Sequence, residues 1–233
     1  MVRAERRRRG LWVAVPTLSV GLRLALAFYY GNWVPMNQDD YSYSRLGWRL
    51  ATGNGYSFDR PWYPFTPANT PTAHWSFLYT ALVAGVYRAA GYRPLVVRIV
   101  GAITTGMLLP VVTYRLTRRL FPDRGAVALV AALGTACYAY FVLYSSRIMT
   151  ESLYTVALLW SLDQAIGVAG LLRHQRTASL WCGLGLGFSL GIAVLLRQAI
   201  LPWVPVLFAW LLLNAGLRNG LSLKTTRRLI VAA

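Results

Sequence analysis

Two adjacent carboxylates, Asp39 and Asp40, open the stretch Asp39-Asp40-Tyr41-Ser42-Tyr43. Side by side, two such groups can bind a cation or take a proton from an attacking nucleophile. One of them can also cap a helix, since the residues from Arg45 to Ala51 carry apolar side chains at helical spacing. Capping needs a single acid, which leaves the second without a structural duty. A third carboxylate, Glu151, lies in Arg147-Ile148-Met149-Thr150-Glu151-Ser152. There Thr150 suits an N-cap and Glu151 suits the first turn of a helix, or Glu151 can share a metal or a substrate with the Asp pair. Arg197 interrupts a long apolar region, where a guanidinium either snorkels to the surface or binds an anion such as a lipid phosphate. His74 sits in a Pro- and aromatic-rich stretch, as a packing residue or a substrate contact. Cys137 and Cys182 fall inside apolar runs as small hydrophobes, and the absence of any CxxC or Cys/His cluster argues against structural zinc.

The elements that must position these residues are apolar. Of 233 residues, 56% are hydrophobic and 13% charged, too few charges to cover a water-facing surface. The net charge of +17 is spread in short clusters between apolar runs, which speaks for loops beside an anionic leaflet and against nucleic-acid binding. Five arginines precede the first run, 11–30, which is long and has no small-residue cleavage site, so it reads as an uncleaved span. Runs 94–116, 125–146, 152–172, 178–196 and 199–217 also approach the roughly 20 residues that a spanning helix needs. Residues 75–90 are apolar but short.

Charge placement assigns that short segment. If 75–90 does not cross, the N-terminal arginines share a side with Arg115, Arg118, Arg119, Arg124, Arg173, Arg176, Arg218, Lys224, Arg227 and Arg228. That puts fifteen of the 24 basic residues on one side, as expected of a cytoplasmic face. The expected fold is therefore an all-α integral membrane protein of about six transmembrane helices. Residues 31–93 form a long first extracytoplasmic loop with interfacial helices. Gly53 and Gly55 mark a turn in that loop. Asp39, Asp40 and Glu151 then share the outer face. Carboxylates gathered there, rather than near mid-membrane, and the lack of internal repeats count against a transporter.

The ordered set of these stretches resembles the polytopic GT-C glycosyltransferases, especially bacterial relatives of the protein O-mannosyltransferases and lipid A aminoarabinose transferases. Asp39-Asp40-Tyr41-Ser42-Tyr43 resembles the acidic signature of that family's first external loop, and the stretch from Trp48 to Ser57 resembles the family's next segment of the same loop. Tyr114 to Phe121 is similar to a cytoplasmic loop of the family, Ser145 to Tyr154 to its "TE" segment, and Gly187 to Arg197 to a later span ending in arginine. The likeness covers roughly residues 11–212.

The resemblance implies a membrane glycosyltransferase in the plasma (inner) membrane, with a cytoplasmic N-terminus and an extracytoplasmic site. It would take a sugar from a polyprenyl-phosphate donor to a lipid, glycan or protein acceptor, with inversion. Asp39 matches the catalytic acid position, two residues before Tyr41. Asp40, Tyr41, His74, Arg147 and Arg197 are the implied substrate ligands, with Arg197 placed for the phosphate. Asp40 and Glu151 could also hold a divalent cation, magnesium or manganese. Family members commonly have more spans, and Leu229 to Ala233 reads as the start of one. The 233 residues thus read as one, partial, GT-C transmembrane module. A catalytically reduced subunit that binds the polyprenyl-phosphate carrier is the alternative.

Overall fold

The structure, a computed structural model, describes residues 2–36, 38–62, 66–173 and 180–219, and side chains within 13–36, 38–62, 66–172 and 180–214. Arg176, Lys224, Arg227, Arg228 and the stretch from Leu229 to Ala233 lie outside the described residues, as do the side chains of the N-terminal arginines, Arg173 and Arg218. Among the described residues the fold is all-helical: α1 (Val2–Tyr30), α2 (Asp39–Ala51), α3 (Phe77–Ala90), α4 (Pro94–Leu120), α5 (Gly125–Cys137), α6 (Ala139–Ser145), α7 (Glu151–Arg173), α8 (Leu180–Leu196), a short 3₁₀ turn (Gln198–Ile200) and α9 (Trp203–Asn219).

By length and composition, three helical stretches can cross a membrane: Val13–Tyr30, Pro94–Leu120 and Glu151–Leu172. A fourth crossing results if α5 and α6, bent 52° at their junction, make one span. Phe77–Ala90, Leu180–Leu196 and Gln198–Asn214 are apolar but shorter. At 14 residues, α3 reaches about 21 Å, less than the roughly 30 Å of a hydrocarbon core. It packs instead along α2.

The bundle is organised around α4, which contacts α1, α5 and α7. A Cβ at Gly106 would lie 2.8 Å from Val20 Cγ2 and 2.9 Å from Val20 Cα, so glycine is what lets α4 meet the backbone of α1. A second core, of Ala165, Val168, Leu186, Leu190, Leu207 and Leu211, joins α7 to α8 and α9. A third patch, Val15 with Ala132 and Ala136, joins α1 to α5.

The α5–α6 bend has a specific cause. Tyr138 is extended (φ −62°, ψ 118°), so the helical ladder breaks and frees carbonyls in the last turn of α5. The fully buried Arg23 of α1 supplies the missing donors: Nη1 to Ala136 O at 3.0 Å and Nη2 to Thr135 O at 3.2 Å, while Ser19 Oγ of α1 accepts from Nη1 at 2.6 Å. Its Nε donates to Ser145 Oγ at 3.2 Å, and Ser146 Oγ donates back to Arg23 O at 2.8 Å. Arg23→Met keeps the stem but strands these carbonyls. It should lower stability by about 2 kcal/mol, read as a fall in the melting midpoint in detergent.

Between α1 and α4, the described residues of 31–93 form α2, α3 and connecting loop segments. Gly47 brings α2 against Val83 of α3, where a Cβ would fall 2.5 Å from Val83 Cγ1. Ser44 Oγ and Tyr87 Oη share a 2.7 Å hydrogen bond across the same contact, and Trp48 meets Tyr87 and Tyr92 edge-on. Gly53 and Gly55 adopt positive φ (81° and 71°), the turn expected from their type.

Candidate functional site

Asp39 and Asp40 sit in the first turn of α2, where their charge suits the helix dipole. Neither is the N-cap. That position belongs to Gln38, whose side chain makes no capping bond. The expectation that one acid caps the helix is corrected accordingly, and the reason lies in where Asp40 points.

Successive residues on a helix project about 100° apart, so Asp40 turns into the bundle while Asp39 stays exposed. Asp40 is 1% exposed. Its Oδ1 accepts from Arg147 Nη2 at 2.5 Å, and its Oδ2 accepts from Arg147 Nε and from the Ile148 backbone N–H, both at 3.3 Å. Arg98, fully buried near the start of α4, brings Nη2 to 3.9 Å of the same oxygen. Arg98 also donates to Gly31 O at 2.6 Å and Trp33 O at 2.7 Å, and its guanidinium lies 5.5 Å from the centre of the Tyr30 ring. It thereby ties the exit of α1 to α4. Asn32 adds to this by accepting from Leu95 N at 3.0 Å, in the first turn of α4. Burial opposes the charge on Arg147, but the Asp40 carboxylate outweighs it and holds the guanidinium above its usual range. Arg147 Nη2 also donates to Gln38 Oε1. The triad joins α2, α4 and the α6–α7 connection at one point.

Asp40 and Arg147, expected as substrate ligands, are therefore structural partners of each other. Asp40 and Glu151, expected as cation ligands, each have guanidinium partners here. Asp40 is bound by two guanidinium groups, and Glu151 Oε1 accepts from Arg197 Nη1 at 3.3 Å. Among the described residues no group of three or more His, Cys, Asp or Glu is placed to hold a metal.

A second set of residues gathers at this end of the bundle. Glu151 opens α7, as expected, with the Tyr154 N–H bonded to Thr150 O at 2.8 Å. Arg197, just past α8, is about half exposed, and the other oxygen of Glu151 is buried without a hydrogen-bond partner. Tyr43, unremarked in the sequence, is buried between these elements, with its hydroxyl beside Ser76 and Thr150. Burial pushes the Tyr43 phenol up, and the negative charges of Glu151 and Asp39 act in the same direction, so it remains a protonated donor.

The loop covers this end. Tyr41 stacks on Trp62 at 6.3 Å, and Trp62 on Phe58 at 4.8 Å. His74 is exposed and meets the Trp75 ring edge-on at 4.8 Å, while Trp75 packs on Tyr43 at 5.0 Å. Arg45 ties the loop to α2 through Asp59 (Nη2 to Oδ2, 2.5 Å), and that hydrogen bond holds the Asp59 carboxyl below its usual range. A depressed carboxylate stabilises the fold above its unfolded pKa, and that contribution disappears as pH falls through its folded value. Wild type should accordingly melt above Asp59→Asn at neutral pH. The gap between their midpoints should close as the pH drops below about 4.

Sequence reasoning also missed Asp163. The acids do not all gather at one boundary: Asp163 lies twelve residues inside α7, 1% exposed, paired with Arg115 and Arg119 of α4. Its signal was a lone charge in an apolar run, as it was for Arg23 and Arg98. Comparison with models of protein families, with curated proteins and with solved structures found no match to this chain.

Proposed function

We propose that this chain is a membrane glycosyltransferase of the GT-C kind, transferring a sugar from a polyprenyl-phosphate donor to an extracytoplasmic acceptor with inversion. In this reading α8 and α9 complete six crossings, α2 and α3 lie at the outer interface, and the N-terminus is cytoplasmic. The observation that carries it is the split of the Asp pair: Asp40 is locked in an internal ion triad, and Asp39 is exposed at the bundle end that also carries Glu151 and Arg197.

The chemistry assigned to these groups is a single displacement. The acceptor's hydroxyl or amine attacks the anomeric carbon and its proton passes to the Asp39 carboxylate. The bond from that carbon to the phosphate oxygen breaks, and polyprenyl phosphate leaves with the electron pair. Arg197, with donors beyond the one given to Glu151, meets the leaving phosphate. Tyr43 and Glu151 orient the acceptor.

The test is transfer by the purified protein in vesicles, using a radiolabelled polyprenyl-phosphate sugar and cell-envelope acceptors. Label should move to the acceptor fraction and polyprenyl phosphate should be released. Donor binding without transfer would select the other reading, a subunit that holds the lipid carrier.

A further inference from the structure

At the opposite end of α4 from Asp40, a second charged group has no part in that reaction. Arg119 lies 21 residues beyond Arg98, about 31 Å along the helix. Its Nε donates to Asp163 Oδ1, and Arg115, one turn earlier, places Nη2 3.3 Å from Asp163 Oδ2. One buried carboxylate therefore fixes two guanidinium groups side by side. The α7 backbone leaves room for the second of them: a Cβ at Gly167 would fall 2.7 Å from Arg119 Nη1 and 3.2 Å from Arg119 Cζ. Glycine there lets the Arg119 guanidinium approach the helix backbone closely.

Among the described residues the charges do not balance. Asp163 neutralises one arginine of the pair, and the two side chains remain 55% and 39% exposed. Arg118 and Arg124 add two positive charges nearby in sequence, against one from Asp123. Each guanidinium carries five donors, so most of the donors on the exposed edges face away from Asp163. Asp163 itself lies about 18 Å into α7 from Glu151, within an apolar stretch long enough to span. Arg115 and Arg119 lie in the last two turns of α4, at the end of a stretch long enough to span, where a half-exposed cation suits an anionic headgroup.

We infer that Arg115 and Arg119, both oriented by Asp163 and the second of them against Gly167, bind the phosphate of an anionic phospholipid headgroup. Planar guanidinium pairs match phosphate oxygens two at a time, and a headgroup brings its acyl chains along the apolar faces of α4 and α7. The inference stands apart from the glycosyltransferase reading, because it uses neither Asp39 nor Arg197.

The experiment compares melting midpoints in nanodiscs of phosphatidylcholine alone and with phosphatidylglycerol, for wild type, Arg115→Gln, Arg119→Gln and Gly167→Ala. Phosphatidylglycerol should raise the wild-type midpoint by several degrees, and each substitution should remove most of that gain. Arg115→Gln, whose side chain is the more exposed, should keep its midpoint in pure phosphatidylcholine. If Arg119→Gln does not fold, the other two variants decide. Equal loss in both bilayers would mean the triad is only an ion pair holding α4 to α7, and would overturn the inference. So would an undiminished gain in every variant, which would place the lipid elsewhere, or no gain in wild type. Inorganic phosphate added to pure phosphatidylcholine discs should do nothing; the same rise from phosphate alone would show a free-anion site instead of a lipid one.

Discussion

Asp40→Asn should lower stability by about 3–5 kcal/mol, the cost of leaving buried guanidinium charge without its counter-ion. The substitution preserves size and one carbonyl, so the loss is electrostatic. Arg98 is fully buried and keeps only backbone carbonyls and the Tyr30 ring. Arg147 keeps Gln38. The effect should spread beyond this end of the bundle, because the triad joins α2 to α4 and to the α6–α7 connection. Fluorescence-detected size exclusion after heating would read it as a sharp drop in the fraction recovered. Pairing Asp40→Asn with Arg147→Gln should recover part of the loss, since one unmatched cation is removed. Their non-additivity measures the coupling across 107 residues of chain.

That separation explains what the sequence could and could not reveal. The helices α1, α4 and α7 were legible, because an apolar run of spanning length has few other uses. So were the turn at Gly53 and Gly55, and Glu151 in the first turn of its helix. Residues 178–196 and 199–217 were expected to span on hydropathy. The described helices Leu180–Leu196 and Gln198–Asn214 are shorter than the long three, and six crossings stay part of the proposal. The roles within the Asp pair were not legible. Nothing local distinguishes Asp39 from Asp40; only the helical rotation between them and the arrival of Arg98 and Arg147 decide which is buried. Arg23 likewise answers a bend at Tyr138, more than a hundred residues away. Such partners are chosen by packing, which sequence spacing does not record.

The adjacent acid should behave in the opposite way. Asp39→Asn leaves the triad, the loop and the helix start intact, so the melting midpoint should stay near that of wild type. Its effect should fall on chemistry alone. Losing a positioned base costs about 10²–10⁴ in rate, and the neutral amide cannot take up the acceptor's proton. Donor binding, proposed for Arg197, should persist. Two neighbouring carboxylates would then separate cleanly, one into stability and one into turnover.

The most direct measurement is therefore sugar transfer from the labelled polyprenyl-phosphate donor by Asp39→Asn and wild-type protein, side by side in vesicles, with bound donor counted in both. A hundredfold or greater fall in transfer at equal donor binding is the expected result. Transfer by Asp39→Asn at the wild-type rate would contradict the assignment of Asp39 as the base.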